Sequence, residues 1–364
     1  MKGKVAVYLA ARQPLEFREY SVPDPEPDSI LVRMRMCNIC GSDLHLWCGL
    51  GPGLQEGLPQ ILGHEMVGTI EKLGGKVKTD SAGTPLEEGD RIIYSYFRFC
   101  GTCYYCLTRE ANCPNRHRHW IGVSSELPPH FNGGFGEFYY LGPGNWVFKV
   151  PDELSDDHVS PVNCAAAEIA FGLRNIEIRG GETVLIQGAG GLGLYAIAMA
   201  REMGAAQIIV VDALPPRLEL AKQFGADHLL DVRETSPGER LEQVMGWTNS
   251  LGADVAIEVA GVPAAVAEGV SLLRNGGRYL CVGNINKGQE TSFDPSHVVR
   301  GQLTVKGVHG YDSLAIPQAL EIIARTKNKY PYEYILSHHF KFEDINEAIA
   351  FADEGAATRV SVTF

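Results

Sequence analysis

The chain lacks long apolar runs and has little positive charge. No stretch of its 364 residues contains the roughly eighteen uncharged apolar residues that a membrane-spanning helix needs. Lysine and arginine together number 32 against 44 aspartates and glutamates, so the formal net charge at pH 7 is -12. Runs of basic residues are no longer than a few positions, whereas nucleic acid requires a basic face. These deficits predict a protein whose partners are neither membranes nor nucleic acids.

The amino-terminal sequence MKGKVAVYLAARQ also lacks the apolar segment of a signal peptide, so we expect a cytoplasmic protein with reduced thiols. The nine cysteines agree with this expectation, because an odd number cannot all form disulfides. In a reduced compartment, a dense group of cysteines usually binds metal. The composition, with 45% hydrophobic and 21% charged residues, is that of a globular chain long enough for two domains.

The pattern of apolar and polar residues changes near residue 155. Before it, strand-like runs such as KVAVYLAA, SILVRMRM, DRIIYSYF and GEFYYLG lie among glycines and prolines and predict a mostly antiparallel or barrel-like β domain. After it, the apolar runs TVLIQ, QIIVVD, DVAIEVA and RYLCVG alternate with helical stretches such as LYAIAMAREMG and AAVAEGVSLLRNGG. This alternation is typical of βαβ units and predicts a doubly wound parallel sheet, so the fold class is α/β.

A glycine-rich turn separates the first strand and the first helix of the second region. It consists of Gly188, Gly190, Gly191, Leu192 and Gly193. Glycines at these spacings allow a tight turn and the close approach of a pyrophosphate to the helix N-terminus. Asp212 ends the next strand, where a carboxylate accepts a hydrogen bond from a ribose 2′-hydroxyl and repels a 2′-phosphate, so the pattern predicts NAD rather than NADP. Arg217, one turn into the next helix, is a candidate contact for the ribose or phosphate, with a solvated helix charge as the alternative.

Four cysteines lie close together in the stretch CGTCYYCLTREANC. They are Cys100, Cys103, Cys106 and Cys113. Their spacing, C-x2-C-x2-C-x6-C, brings four thiolates round one ion and is typical of a closed, structural zinc site. An iron–sulfur cluster and a metal-free loop are the alternatives. The bacterial ferredoxin pattern has a shorter spacer before its last cysteine, which disfavours the cluster.

A second group of polar residues is dispersed over NICGSDLHLW, LGHEMVG and PVNCAAAEIAFG. It comprises Cys40, Ser42, Asp43, His45, His64, Glu65 and Cys164. Thiolates and imidazole suit zinc, and three protein ligands leave a fourth position for substrate. Spacing alone does not unite these residues, because cysteines often fill a core and single histidines are common.

The order of the motifs resembles that of the zinc-dependent medium-chain dehydrogenase/reductase family. C-G-S-D-x-H is followed by G-H-E, a cysteine quartet and a glycine motif with its acidic partner, over nearly the whole chain. The resemblance implies a GroES-like catalytic domain over residues 1–155 with a structural zinc lobe at about 97–116. It further implies a Rossmann NAD-binding domain over 156–298, a segment 299–364 that returns to the catalytic domain, and a homodimer or homotetramer.

The same resemblance implies two zinc ions per chain, one catalytic and one structural. Cys40, His64 and Cys164 match the family's catalytic zinc ligands. The cysteine quartet matches the structural site with one departure: the family usually has one more residue before the fourth cysteine. The shorter spacer makes Cys113 the least secure of the four predicted ligands.

Four neighbouring residues match the family's auxiliary groups. Glu65 matches the acidic neighbour that approaches the metal, and Asp43 matches the carboxylate that orients the ligand histidine. Ser42 and His45 match a proton relay that carries the alcohol proton to solvent, while hydride passes to NAD. We therefore expect a zinc- and NAD-dependent enzyme that oxidises a small-molecule alcohol, secondary, cyclic or polyhydroxylated, to a ketone or aldehyde.

The sequence says less about the substrate pocket. Trp47 is a candidate wall of the pocket, with a packed core tryptophan as the alternative. Residues 116–131, which include His119 and Trp120, are a candidate lid, with a mobile loop of no such function as the alternative. If CAAAEIAFGL is one helix, Glu168 lies one turn beyond Cys164 on the same face and accepts hydrogen bonds from a second substrate hydroxyl. The alternative is that Glu168 turns to a neighbouring arginine or to solvent.

Three other functions compete with this prediction. A primary alcohol or aldehyde dehydrogenase of the same family has the same motifs. A zinc-free reductase acting on quinones or enones is disfavoured, because such members lack this ligand set. A non-catalytic NAD- and zinc-binding interaction protein belongs to a different functional class, and in it Ser42 and His45 would have no role.

Overall fold

The computed structural model describes residues 1–51, 57–108, 113–118, 120–285 and 288–364. His119 of the predicted lid therefore lies outside the described residues. The chain forms two compact units, Met1–Cys164 with Leu336–Phe364, and Ala165–Ile335.

The described residues form strands and helices with the following bounds. The strands are β1 (Lys2–Tyr8), β2 (Glu16–Ser21), β3 (Ile30–Ile39), β4 (Gln60–Ile61), β5 (Glu65–Leu73), β6 (Arg91–Tyr94), β7 (Phe97–Arg98), β8 (His117–Arg118), β9 (Phe138–Leu141), β10 (Val147–Lys149), β11 (Thr183–Gln187), β12 (Gln207–Asp212), β13 (His228–Asp231), β14 (Ala253–Glu258), β15 (Leu273–Cys281), β16 (Thr304–Gly307), β17 (His338–Lys341) and β18 (Val360–Thr363). The helices are α1 (Gly41–Trp47), α2 (Tyr104–Thr108), α3 (Asp156–Val159), α4 (Ala167–Ile176), α5 (Gly191–Glu202), α6 (Pro215–Gln223), α7 (Pro237–Trp247), α8 (Pro263–Ser271), α9 (Pro295–Gly301), α10 (Ala315–Thr326) and α11 (Ile345–Asp353). Single turns of other helix types are a π-helical turn at Val162–Ala166 and 3-10 turns at Tyr332–Ile335 and Phe342–Asp344. Among these helices, none has both the length and the apolar character required to cross a membrane.

The first unit is built round a mostly antiparallel sheet with the strand order β10-β6-β5-β3-β18-β17, and β9 also pairs with β3. A three-stranded sheet, β2-β1-β4, and the pair β7-β8 complete it. In β3, Arg33 and Arg35 are exposed between buried apolar neighbours, the period of two expected of a strand with one solvated face. The four strand-like runs predicted before residue 155 all form strands, which confirms the mostly β domain.

The second unit contains a parallel six-stranded sheet with the order β13-β12-β11-β14-β15-β16. Numbered within the unit, this is the order 3-2-1-4-5-6 of a Rossmann fold. Helices cover the sheet, so the central residues of β11 and β12, VLI and IIVV, are buried and form continuous apolar runs in the sequence. The predicted doubly wound parallel sheet and the α/β fold class are confirmed.

The unit boundaries differ from the predicted domain boundaries of 155 and 298. Residues up to Cys164 belong with the first unit, and the chain returns to it only at Leu336. The segment between 299 and 335 stays with the second unit because β16 extends the parallel sheet and α10 packs against α4. The helix predicted over the whole stretch AAVAEGVSLLRNGG is longer than the observed one. The observed helix α8 ends at Ser271, and the last residues of the stretch, which include Gly276 at φ +73°, belong to β15.

Candidate metal and nucleotide sites

Dispersed polar residues converge in the first unit. One donor atom from each of Cys40, His64, Glu65 and Cys164 lies within 4.8 Å of all the others, and all four residues are buried. Cys40 precedes α1, His64 precedes β5, and Cys164 lies in the π-helical turn, so three separate elements supply the group. Cys164 Sγ lies 3.5 Å from His64 Nε2. A sulfur and a nitrogen bound to one tetrahedral zinc are separated by about 3.6 Å, so the donor set fits a single zinc ion.

The imidazole of His64 is oriented by Asp43. His64 Nδ1 lies 3.1 Å from Asp43 Oδ1, and both side chains are buried. The carboxylate is itself held by the backbone N–H groups of Gly63, at 3.1 Å, and Cys40, at 3.0 Å. Burial lowers the pKa of His64, but the Asp43 carboxylate and the Cys40 thiol together raise that pKa well above its usual value. Asp43 thus turns Nε2 toward the cysteines, as expected for an imidazole that binds a metal.

The predicted proton relay begins at the same ring. Ser42 Oγ lies 3.3 Å from His64 Nε2, so the hydroxyl faces the nitrogen that is available to a metal. His45 is half-buried and follows Ser42 by three positions in α1. Residues three apart in a helix lie on the same side, so the two predicted relay groups share one side of α1.

The acidic neighbour of His64 has a partner that the sequence motifs did not indicate. Glu65 and Arg359 form an ion pair, with Glu65 0% and Arg359 7% exposed. Burial raises the pKa of Glu65 to about 7, against the lowering effect of the Arg359 guanidinium. Glu65 Oε1 has no hydrogen-bond partner among the described residues, and Glu65 is the fourth member of the metal-compatible group. An orphaned buried carboxylate oxygen beside these donors fits a residue that approaches a bound metal.

Two aromatic rings cover the imidazole. Trp120 stacks on His64 with ring centroids 4.2 Å apart, and Tyr96 meets the same ring edge-on at 4.8 Å. Sequence reasoning singled out Trp120 but missed Tyr96, whose only signal is its place shortly before the cysteine quartet. Trp47 has different contacts: its Nε1–H donates to the Gln13 carbonyl at 2.9 Å, and the Arg12 guanidinium lies over its ring. These contacts describe a packed surface tryptophan.

The four predicted structural ligands also meet. The Sγ–Sγ distances are 3.5 Å for Cys100–Cys113 and Cys103–Cys106, 3.7 Å for Cys103–Cys113 and 3.8 Å for Cys100–Cys106. Four sulfurs round one tetrahedral zinc are about 3.8 Å apart, whereas thiolates on separate irons of a cluster lie farther from one another. The shortened spacer does not keep Cys113 out of the group. Backbone N–H groups of Thr102 and Cys103 lower the pKa of Cys100 to about 6, which favours the thiolate that binds metal.

In the second unit, the glycine turn has the close backbone contacts of a nucleotide cradle. Gly188 has φ +108°, and a Cβ there would lie 2.9 Å from the Ala260 nitrogen. A Cβ on Gly193 would lie 1.9 Å from the Gly188 carbonyl oxygen, so only glycine allows the helix to start so close to the turn. Gly190 is the N-cap of α5, which begins at Gly191 and continues through Leu192. The first N–H groups of α5 therefore lie at the end of a short bare backbone turn, the arrangement that binds a pyrophosphate.

Asp212 is tied to this turn. Its Oδ2 accepts the Ala189 N–H at 2.6 Å, and its Oδ1 accepts the Leu214 N–H at 2.8 Å. The predicted ribose-binding carboxylate therefore stands beside the glycines at the end of β12. Arg217 Nη1 lies 3.9 Å from the position that a Cβ on Gly190 would occupy, so the guanidinium lies over the same turn.

The stretch that carries Cys164 and Glu168 is not a single α-helix. Cys164 belongs to the π-helical turn, whereas α4 begins at Ala167. The four-residue spacing therefore does not place Cys164 and Glu168 on one face, as it would in an α-helix. Glu168 lies in the second unit and accepts the backbone N–H of Gly310 at 2.7 Å. A backbone donor in the segment after β16 is therefore one partner of the Glu168 carboxylate.

Two family models match the chain. Residues 26–152 match the model described as alcohol dehydrogenase GroES-like domain, and residues 191–325 match the model described as zinc-binding dehydrogenase. The two matches follow the order of the two units along the chain.

Individual relatives match over almost their full length. The chain is 32% identical over 324 residues to sorbitol dehydrogenase of Bacillus subtilis, covering 88% of this chain and 86% of the relative. It is 29% identical over 352 residues to 5-exo-hydroxycamphor dehydrogenase of Pseudomonas putida, covering 96% of each. Among solved structures, an alcohol dehydrogenase from Thermotoga maritima superposes with a TM-score of 0.94 at 32% identity, covering 100% of this chain and 99% of that one.

Proposed function

Because the chain belongs to the zinc-dependent medium-chain dehydrogenase/reductase family, we propose that it oxidises a small-molecule alcohol at a zinc ion and transfers hydride to NAD. The observation that carries the proposal is the buried donor set of Cys40, His64 and Cys164, with a sulfur–nitrogen separation suited to one zinc. We assign this chemistry to the first unit and cofactor binding to the second.

The residues round the donor set have distinct roles in this proposal. Cys40, His64 and Cys164 would hold a zinc ion that would supply Lewis-acid chemistry and make a substrate hydroxyl more acidic. Ser42, whose hydroxyl faces His64 Nε2, accepts the alcohol proton, and His45 passes it toward solvent. Asp43 keeps the imidazole in the orientation that leaves Nε2 for the metal. The cysteine quartet would hold a second zinc with a structural role, because four thiolates leave no position for substrate.

The cofactor assignment rests on the turn of the second unit. Gly188, Gly190 and Gly193 leave room for a pyrophosphate at the start of α5. Asp212 is the group that selects NAD, since its carboxylate accepts from a ribose 2′-hydroxyl and repels a 2′-phosphate. Arg217, which lies over the turn, is assigned to the phosphates.

For the substrate, we favour a secondary alcohol that is cyclic or polyhydroxylated. Two of the relatives are named for such compounds, hydroxycamphor and sorbitol. In this chain the Trp120 and Tyr96 rings against His64 provide an apolar wall suited to a carbon skeleton.

We also propose that the protein is a homo-oligomer, in its simplest form a dimer. β16 is the last strand of the parallel sheet, and all four of its residues are exposed. Val305 in β16 is 47% exposed, and Val299 in the preceding helix α9 is 75% exposed. An uncovered, partly apolar strand edge is unfavourable in an isolated monomer and is covered when a second copy pairs with it.

The direct test is spectrophotometric. Purified protein is incubated with NAD and a panel of primary, secondary, cyclic and polyhydroxylated alcohols, and NADH formation is followed. We expect turnover with cyclic or polyhydroxylated secondary alcohols that is lost in Cys164→Ser. Turnover confined to primary alcohols would refute the substrate class, and no turnover by a zinc-loaded, NAD-binding protein would favour a non-catalytic role.

A further inference from the structure

Strands β5 and β6 separate next to the proposed catalytic zinc. They pair at Gly68 with Ile92 and at Val67 with Ile93, and the pairing extends no farther toward His64. Continuing that register would pair Met66 with Tyr94. The backbone there needs other partners, because Met66 and Tyr94 are 0% exposed and His64 is 1% exposed.

The side chain of Asn163 supplies those partners. Its Nδ2 donates to the carbonyl oxygens of His64, at 3.0 Å, and Tyr94, at 2.9 Å. Its Oδ1 accepts the Met66 N–H at 3.3 Å. The amide therefore stands where the two strands part and replaces a peptide group of the ladder.

Asn163 is also the covalent neighbour of Cys164, in the π-helical turn. We propose that Asn163 is a positioning residue of the catalytic zinc site, which holds the backbone of one ligand, His64, in register with the next ligand, Cys164. This inference rests on the proposed zinc assignment and adds a residue that itself binds no metal.

The chemistry of the amide explains why asparagine is needed. A carboxamide offers two N–H donors and an acceptor on one short planar group, and all three are used here. Aspartate has the same shape but would turn an oxygen toward two carbonyl oxygens. Alanine leaves three buried backbone groups without this partner, so the start of β5 and the Cys164 turn are free to shift against each other.

The test measures zinc retention in the whole protein. Zinc-loaded wild type, Asn163→Ala and Asn163→Ser are exposed to a chelating dye, and the release of each zinc ion is timed. The ion of the proposed catalytic site is identified as the one that Cys164→Ser does not bind. We expect that ion to leave at least about tenfold faster in both Asn163 variants. Loss of a group that orients a metal ligand lowers metal affinity by about 10–100-fold, and tenfold is the lower end of that range. The ion of the cysteine quartet should leave at its wild-type rate. Cobalt(II) bound at the Cys164-dependent site should give shifted ligand-field bands.

Asn346→Ala is the matched control. The Asn346 amide also bridges backbone groups of the first unit, with the Leu15 N–H at 2.6 Å and the Leu15 carbonyl at 3.0 Å, but contacts no proposed ligand. It should leave zinc release and the cobalt bands unchanged.

The outcomes separate the possibilities. Unchanged release and bands in folded Asn163→Ala or Asn163→Ser would overturn the proposal, as would an equal change in Asn346→Ala. Failure of both Asn163 variants to fold, while Asn346→Ala folds, would assign Asn163 to the fold and not to the metal site. A wild type that holds no zinc dependent on Cys164 would instead refute the ligand assignment itself.

Discussion

Glu65 and Arg359 form an ion pair that is closed off from solvent, although 294 residues separate them along the chain. Glu65 begins β5 beside the proposed zinc ligand His64, and Arg359 directly precedes β18. The pair therefore ties the C-terminal strand of the first unit to the metal-binding segment. A buried carboxylate is tolerated there because the guanidinium compensates its charge.

The first prediction follows from this pair. Arg359→Met should lower the free energy of unfolding in urea by about 3–5 kcal/mol, because it leaves a buried carboxylate without its counter-charge. Adding Glu65→Gln should recover a large part of that loss. Arg35→Met is the control: Arg35 pairs with Asp156 but its side chain is 45% exposed, so the loss should be about 1 kcal/mol or less. Equal losses of unfolding free energy in the two arginine variants would show that burial does not increase the contribution of the Glu65–Arg359 pair to stability.

The second prediction concerns metal content. Elemental analysis should find about two zinc ions per chain, one for each donor group. Cys113→Ser should lose one of them and reduce stability more than it changes the chemistry, since Cys113 Sγ lies among the other three thiols. Iron with a visible charge-transfer band would contradict the zinc assignment. Unchanged zinc content in Cys113→Ser would mean that the shortened spacer excludes this cysteine.

The third prediction addresses proton transfer. Ser42→Ala should reduce turnover by about 10²–10⁴-fold, the range for general acid–base groups, while zinc content and NAD binding persist. His45→Gln should have a smaller effect, mainly at low pH. Ser271→Ala, which removes a hydroxyl bonded to the Glu268 carbonyl in the second unit, should leave turnover unchanged. Full activity in Ser42→Ala would remove Ser42 from the mechanism.

Sequence patterns predicted the second unit well, because its signals are local. The alternation of apolar runs and helices defines the sheet, and Gly188 through Gly193 are consecutive residues whose spacing has a direct geometric meaning. The cysteine quartet is equally local. Even its shortened spacer could be recognised in the sequence, although only the structure brings Cys113 to the other thiols.

The first unit was harder to predict because its site is built from distant segments. Spacing could not unite Cys40, His64 and Cys164, which came together only through family resemblance. Arg359 has no motif of its own and reaches Glu65 through the pairing of β18 with β3, a long-range contact. Glu168 does lie in a helix, but its place on the same face as Cys164 required one α-helix through both residues. Cys164 lies in a π-helical turn instead, and apolar periodicity does not detect so short an irregularity.

The fourth prediction is cofactor choice. NAD should be preferred over NADP by at least about tenfold in kcat/KM, because a 2′-phosphate would face the Asp212 carboxylate. Asp212→Ser should reduce the difference in kcat/KM between NAD and NADP. It should also loosen the glycine turn, since Asp212 accepts the Ala189 N–H. Asp254→Ser, near the start of β14 and so at the opposite end of the parallel sheet, is the control and should keep the preference. Equal efficiency with both cofactors in the wild type would refute the role of Asp212.

The last prediction concerns Glu168, for which recognition of a second substrate hydroxyl and a purely structural role remain distinct hypotheses. Its carboxylate accepts the Gly310 N–H at 2.7 Å. Glutamine keeps an acceptor oxygen of similar reach but loses the charge, whereas threonine loses the reach as well. The two variants therefore test the charge and the backbone bond separately.

If Glu168 recognises a hydroxyl, both Glu168→Gln and Glu168→Thr should lose kcat/KM on sorbitol by roughly tenfold or more, the scale of one charge-assisted hydrogen bond, while 2-butanol is spared. If its role is to hold the Gly310 backbone, Glu168→Gln should behave like wild type, and Glu168→Thr should affect both alcohols alike. Because the structure gives the carboxylate a backbone donor, we expect the second pattern. A selective loss on sorbitol in Glu168→Gln would contradict this expectation and make Glu168 a determinant of polyol specificity.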